Sequence, residues 1–237
     1  MIVCVPALTP GAQGTIDTSA LRPYINRAAN TWVHSFLLSG STTRGDLLTA
    51  KDKGSIIDIW LEQLPPGRII ACCWNSDDIK ESSARGVRAM AVLQALPNEN
   101  AALDFLASLP GGSYIYSHPM YTPTVFNTEL ATLAAKAGVL PAGGKVAKIG
   151  FSDITGIRNA TGPEFALLDG SSRQIGKRIE AGASGVIATP LSHIPSPFPT
   201  ADLPALQPVI DASQATLDAL PDRPARTAHL LQAAFGS

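Results

Sequence analysis

Cysteine is scarce in this chain: Cys4, Cys72 and Cys73 are the three present, all inside apolar runs. That excludes a disulfide framework and suits a reducing compartment, so a cytoplasmic setting is the expectation. Charge is scarce as well. Only 16% of residues are charged, the formal net charge is -1, and Lys and Arg are scattered among Asp and Glu. Such a pattern offers neither a basic stripe for nucleic acid nor a polybasic patch for a membrane surface. No apolar run approaches the ~18 residues of a membrane span. The first run, Ile2–Leu8, is too short for a secretory segment and lacks a basic stretch ahead of it. The four histidines, His34, His118, His193 and His229, show no paired ligand spacing, and Cys72–Cys73 is not a Cys-x-x-Cys, so no metal is expected. No Walker loop appears, and no Gly-x-Gly-x-x-Gly turn follows the first strand, so no cofactor is expected either. The Gly-x-Ser-x-Gly elbow of a serine nucleophile is also missing.

What is present is a repeated plan. A short apolar run, a turn rich in Gly, Pro, Ser or Thr, and a helix-like segment follow one another along the chain. Strands are predicted at Ile2–Leu8, Val33–Leu38, Arg68–Cys73, Ala89–Gln94, Ser113–Tyr116, Val146–Phe151, Glu164–Leu168 and Gly185–Ala188. Near-continuous apolar strands alternating with helices read as a parallel sheet covered on its faces, and eight such units close into a (β/α)8 TIM barrel. A doubly wound open sheet is the alternative.

Helical spacing is clear at 18–29, with Leu21, Tyr24, Ile25 and Ala28 on one face, and over Asp46–Leu64. Asn127 is placed to cap a helix that carries Leu130, Leu133 and Ala134, and Ser171 or Ser172 to start the seventh. Between the sixth and seventh predicted strands only Asp153–Pro163 remains, less than a parallel crossover usually needs, which predicts a sixth helix reduced to a turn. The end of the chain has room for an eighth helix over Ala201–Leu220 and one further helix over Ala225–Phe235. The domain reading is therefore a barrel over 1–220 and a short helical extension over 221–237.

The stretch Lys145–Gly156 resembles the sixth-strand signature of the dihydrodipicolinate synthase / N-acetylneuraminate lyase family, Gly-(Ile/Val)-Lys-(Asp/Glu)-x-(Ser/Thr)-Gly, whose lysine forms a Schiff base with pyruvate. Gly150, Asp153, Thr155 and Gly156 fit that frame, which puts Ser152 at the lysine position. Other motifs follow in family order. Val5–Pro6–Ala7–Leu8–Thr9–Pro10 with Gly14, Ile16 and Asp17 resembles the opening strand and its turn. Ser39–Gly40–Ser41–Thr42 resembles the turn that receives the substrate carboxylate, and Tyr116–Ser117–His118–Pro119 the Tyr-Asn-x-Pro whose tyrosine relays protons. Asp169–Gly170 and Gly182–Ile187 resemble the starts of the segments at the seventh and eighth strands. The chain departs from the family at Thr43–Arg44 in place of Gly-Glu, at Gln94–Pro97 in place of Pro-Tyr-Tyr, at Tyr121 in place of a basic residue, and at Cys72–Cys73–Trp74 in place of Gly-x-Gly.

The resemblance implies a barrel, a small-carboxylate ligand and a homo-oligomer. In the frame that places Ser152 on the sixth strand, imine chemistry is lost, because a hydroxyl cannot form an imine. Lys148 shares the parity of Ser152 but would lie roughly 13 Å away at ~3.3 Å per residue, towards the opposite end of the barrel. A lysine extending from the barrel floor is the alternative for it. Tyr116 and His118 are candidate proton carriers; packing and an exposed loop imidazole are the alternatives. Ser41 and Thr42 form a candidate carboxylate cradle, with Arg44 as a clamp on a second acid or as a surface partner of Asp46. Trp74 is placed near the mouth. Asp153 and Asp169 follow strands and are candidates for a general-base pair or metal-binding carboxylates, Asp169 also for holding substrate; aspartates that cap helices or bond turn amides are the alternative. Ser152 stays a catalytic candidate beside His118 and Asp153, and His193 has a claim like that of the aspartates. Two functions remain: a lyase or aldolase acting on a small 2-oxo acid without a Schiff base, and a non-catalytic relative that keeps the pocket or only the fold.

Overall fold

A computed structural model of the protein describes residues 1–11, 16–121 and 124–236. The predicted turn residue Gly14 lies outside them. Eight parallel strands close in chain order into a barrel: β1 (Ile2–Pro6), β2 (Ser35–Leu38), β3 (Ile69–Cys73), β4 (Arg88–Val92), β5 (Tyr114–Ser117), β6 (Gly143–Val146), β7 (Ala166–Asp169) and β8 (Gly185–Ile187). The closing pair is β1 with β8, in the register Val3 to Val186. Among the described residues the α-helices are α1 (Thr18–Ala29), α2 (Ala50–Leu61), α3 (Ser76–Ala84), α4 (Glu99–Ala107), α5 (Thr128–Ala137), α6 (Phe151–Thr161), α7 (Ile175–Glu180), α8 (Leu203–Asp218) and α9 (Arg223–Phe235). None is long and apolar enough to cross a membrane.

The strands are buried on both faces, which is why runs such as Ile69–Cys73 lack polar alternation. Inward side chains, among them Cys4, Leu37, Ile70, Met90, Tyr114 and Leu168, fill the barrel interior. Outward ones pack under the helices: Val3, Phe36 and Ile69 beneath Tyr24 and Trp60 on one side, and Ile115 and Leu167 beneath Leu130 and Ile157 on the other. Helix starts follow their capping residues. The side chains of Asp17, Asn75, Asn98, Asn127, Asp202 and Asp222 each accept backbone N–H groups of the first turn. Thr49 and Asp52 form a reciprocal capping box on α2.

A buried ion pair ties α2 to α3. Lys53 Nζ lies 2.6 Å from Asp78 Oδ2, and the two side chains are 4% and 1% exposed. The same oxygen accepts the Trp74 backbone N–H at 2.7 Å, so the pair also fixes the turn after β3. Removing one partner strands the other charge in the interior. Asp78→Ala is expected to cost ~3–5 kcal/mol in urea unfolding; a change below 1 kcal/mol would show that the lysine finds water instead.

The barrel agrees with the sequence reading, with departures at the sixth strand, the sixth helix and the start of the seventh helix. The sixth strand is Gly143–Val146, not Val146–Phe151. Because it ends early, Phe151–Thr161 is free to form a full α6, held at its start by Asp153, whose carboxylate accepts the Gly150 N–H at 2.8 Å. The sixth helix is therefore not reduced to a turn. The seventh helix starts at Ile175, beyond Ser171 and Ser172.

Candidate active site

A cavity of about 470 Å³ opens at the C-terminal ends of the strands, where the βα loops of a barrel gather. Tyr116 and Lys145 form part of its lining, and they are register partners on β5 and β6. Tyr114 and Tyr116 belong to the barrel interior while Ile115 packs outward, so Tyr116 and its neighbour Lys145 both face the barrel axis. Lys145 is 7% exposed, and its Nζ stands 4.2 Å from the centroid of the Tyr116 ring. Tyr116 Oη and Ser41 Oγ share a hydrogen bond of 3.1 Å.

The strand that presents Lys145 is built from small residues. A Cβ at Gly143 would lie 2.7 Å from Ala166 Cβ and 2.9 Å from Tyr114 Cε1, so the neighbouring strands already occupy that space. Gly170, after β7, passes so close that a Cβ there would meet Lys145 Cε at 3.1 Å and Ala147 Cβ at 2.9 Å. The lysine stem is thus held between the Tyr116 ring and the Gly170 turn, which restricts its freedom before any ligand arrives.

Ser41 and Thr42 lie on a short 3₁₀ turn, Ser41–Thr43, after β2. The last helix clamps this turn: Arg223 donates to Ser41 O, and Thr227 Oγ1 donates to Thr42 O at 2.6 Å. Arg223 also stacks on Tyr121, with its Cζ 4.8 Å from the ring centroid. Sequence reasoning missed this contribution of α9. The available signal was Arg223, Arg226 and Thr227 at helical spacing on one face.

An aromatic wall continues from Tyr116. Trp74 meets Tyr116 and Tyr121 edge-on at 6.3 and 5.9 Å, and its indole N–H donates to Ser39 O at 3.0 Å. Gln94 donates to Trp74 O at 2.7 Å. Trp74 supports the wall from behind Tyr116 and does not line the cavity.

His118 stands 4.9 Å from Tyr121 between ring centroids, and its Nδ1 accepts the Met120 N–H at 3.1 Å. Burial, and then the charges of Lys145, Lys148 and Arg223, hold its pKa down to about 4. The imidazole is therefore neutral at pH 7, able to accept a hydrogen bond there but only a weak base. The folded value lies below the unfolded 6.5, so the unfolded chain binds the proton first as pH falls. This contribution to stability is full above about pH 6.5 and is lost as pH drops towards 4. Solvent screening keeps it modest for a half-exposed ring. The melting temperature of His118→Gln is expected to fall less than that of the parent between pH 7 and pH 4.5; parallel curves would contradict the assignment.

The structure thus brings Ser41, Thr42, Tyr116 and His118 to one cavity, together with Lys145, which the sequence frame left out. It does not bring Ser152 there. That residue is exposed in the first turn of α6, six positions past the end of β6, so it is no occupant of the lysine position. Lys148 lies just beyond β6 at the mouth of the same cavity, not at the opposite end, and its Nζ donates to Met120 Sδ at 3.5 Å. Arg44 is turned to solvent and ion-paired with Asp46 at 2.8 Å. Asp169 is buried, accepting from the N–H and hydroxyl of Ser171, with Arg178 at 3.8 Å; it braces the turn after β7 and does not line the cavity. His193 is partly buried away from this lining, and burial lowers its pKa. Among the described residues no group of three or more His, Cys, Asp or Glu side chains comes together as a metal site.

The closed barrel places an inward lysine and tyrosine at its strand C-termini. Solved structures similar to this chain include dihydrodipicolinate synthase family proteins and a sugar-acid aldolase. Dihydrodipicolinate synthase from Aquifex aeolicus superposes with a TM-score of 0.70 at 19% identity, covering 98% of this chain and 81% of that one. The Cyanidioschyzon merolae enzyme, in a crystal with lysine bound, gives 0.74 at 18% identity over 99% and 89%. The 2-keto 3-deoxygluconate aldolase from Picrophilus torridus gives 0.76 at 18% identity over 98% and 92%. No family model matches the sequence, and no curated protein matches it. At these identities the likeness is one of fold.

Proposed function

We propose that the protein is an aldolase-type lyase acting on a 2-oxo acid, with Lys145 as the nucleophile that forms an imine. The observation that carries this reading is the placement of Lys145, 7% exposed as a residue and with its Nζ 4.2 Å from the Tyr116 ring centroid, on the strand beside the Tyr116–Ser41 hydrogen bond. The neighbouring structures, named as synthases and an aldolase, support the same direction.

In this reading the carboxylate of the 2-oxo acid rests on the Ser41–Thr42 turn. The Lys145 amine adds to C2, and the carbonyl oxygen leaves as water to give the imine. Loss of a proton from C3 gives an enamine, whose C3 forms a bond to an aldehyde carbon. In the reverse direction that bond breaks. Hydrolysis then returns the free amine. Tyr116 Oη is the group positioned to carry protons in these steps, with Ser41 Oγ as its neighbour in the relay.

The test is borohydride reduction in the presence of pyruvate, followed by peptide mass mapping. An adduct on Lys145 is expected. An adduct on Lys148, or none while pyruvate still raises the melting temperature, would overturn the assignment; the second result favours a carboxylate-binding relative without imine chemistry.

A further inference from the structure

Every polar group of Trp74 is engaged. Its backbone N–H donates to Asp78 Oδ2 at 2.7 Å, its carbonyl accepts the Gln94 side-chain amide at 2.7 Å, and its indole N–H donates to Ser39 O at 3.0 Å. These partners come from α3, from the segment after β4 and from the residue that follows β2. Asp78 is itself fixed, enclosed in its ion pair with Lys53. The indole is thus held from three directions.

What the indole N–H holds is a strained peptide. Ser39 has φ 53°, in the left-handed region that a residue with a side chain keeps only where its surroundings enforce it. The carbonyl is hemmed in as well: a Cβ at Gly45 would lie 1.7 Å from Ser39 O, so the returning loop presses against it. Two residues on, Ser41 opens the 3₁₀ turn, and its Oγ meets Tyr116 Oη at 3.1 Å. The same indole packs edge-on against the Tyr116 ring, at 81° with centroids 6.3 Å apart. Trp74 therefore acts on both ends of that hydrogen bond without lining the cavity. Because such a bond is lost by roughly 3.6 Å, a small displacement of either end breaks it.

We infer that Trp74 is a positioning residue for the proton carrier. It keeps Tyr116 Oη and Ser41 Oγ at bonding distance by packing on the first and pinning the backbone that leads to the second. Cys72–Cys73–Trp74 stands in place of the resembled family's Gly-x-Gly, and a glycine has neither a ring nor a side-chain N–H for these contacts. The use made of Tyr116 rests on the aldolase reading; the positioning rests on geometry.

The step to measure is exchange of the pyruvate C3 hydrogens in deuterium oxide, followed by proton NMR. In the imine the C3–H bond breaks, its electron pair becomes the enamine double bond, the proton passes to solvent through Tyr116, and a deuteron returns by the same route. Trp74→Phe keeps an aromatic ring beside Tyr116 and removes the indole N–H; Trp74 is only partly buried, so the variant should melt close to the parent. Its exchange turnover is expected to fall about ten- to a hundredfold, the scale of a small misplacement at a reacting group. Half-saturating pyruvate should change little, and borohydride should still trap pyruvate on Lys145. In the Tyr116→Phe background the same substitution should change turnover by less than about twofold, because the group it positions is gone. Unchanged exchange in Trp74→Phe overturns the inference. So does an equal fold-loss in both backgrounds, which marks general packing, and so does a loss confined to half-saturation, which marks the carboxylate turn.

A second measurement needs no turnover. In urea unfolding, Tyr116→Phe and Ser41→Ala should be coupled in the parent, since each removes the same bond, and the coupling should disappear in the Trp74→Phe protein. No coupling in the parent, or coupling that survives Trp74→Phe, overturns the positioning. If the parent neither traps nor exchanges pyruvate, but the coupling is present and Trp74→Phe abolishes it, the aldolase reading fails and the positioning stands.

Discussion

Lys145→Met is expected to abolish borohydride trapping of pyruvate and to lower any aldol or retro-aldol turnover by about 10⁴-fold or more, the scale on which removing a covalent nucleophile acts. No other described lysine shares its setting. Lys148, the only other lysine lining the cavity, is exposed and lies past the end of β6, in contact with Met120. The substitution should leave the fold intact. Methionine matches the length of the apolar stem, which is held between Tyr116 and Gly170 and is almost fully enclosed. It also removes an amine that is expensive to enclose, so the melting temperature should stay level or rise even as activity disappears. Lys145→Arg separates the two roles of the side chain. It keeps a cation beside the Tyr116 ring but cannot form an imine, and it should be as inactive as the methionine variant. Measurable trapping by either variant would place the nucleophile elsewhere.

The barrel was legible because its strands are written in residues that only a buried sheet accommodates. Ile2–Pro6 and Ile69–Cys73 are apolar throughout and bounded by turn residues. The sixth strand was not legible by the same rule. Gly143–Gly144–Lys145–Val146 has little apolar surface of its own, and its space is filled from the sides: a Cβ at Gly144 would meet Ile115 Cδ1 at 2.8 Å, and one at Gly143 the Ala166 and Tyr114 side chains. The apolar residues that draw the predicted strand five positions too far form the loop after β6 and the first residue of α6; in that loop Lys148 takes a left-handed conformation and Gly150 precedes the helix. A Gly-x-Lys spacing like that of the motif is also present at Gly143–Gly144–Lys145, and the proposed function takes Lys145, not Ser152, as its lysine.

The clamp from α9 was hidden for a different reason. Arg223 reaches Ser41 across 182 positions of sequence, and Thr227 reaches Thr42 across 185. No local pattern announces such contacts; they exist because the barrel closes and brings the chain's end over its second loop. Arg44 shows the converse. Its partner is two residues away, and the surface pair with Asp46 is the arrangement that adjacent opposite charges adopt unaided.

Tyr116→Phe is the second substitution with a large expected effect, because it removes one atom and little else. The ring fills the interior between Trp74 and Lys145, and phenylalanine keeps that packing. What disappears is Oη, whose partner is Ser41 Oγ at 3.1 Å. Ser41 is partly exposed, so water can replace the lost partner, and the stability change should stay near 1 kcal/mol. Turnover should fall by ~10²–10⁴-fold, as for loss of a positioned proton carrier. Binding of pyruvate should change little, since the carboxylate is assigned to the Ser41–Thr42 turn and the carbonyl to Lys145. Ligand-dependent melting reads binding separately: a hundredfold excess of pyruvate over Kd stabilises the native state by about 2.7 kcal/mol. A Tyr116→Phe protein that keeps this shift and loses turnover has lost a proton carrier. One that loses both in equal measure has lost a binding contact, and the relay would then have to start from His118, whose ring lies 6.2 Å from that of Tyr116 and 4.9 Å from that of Tyr121.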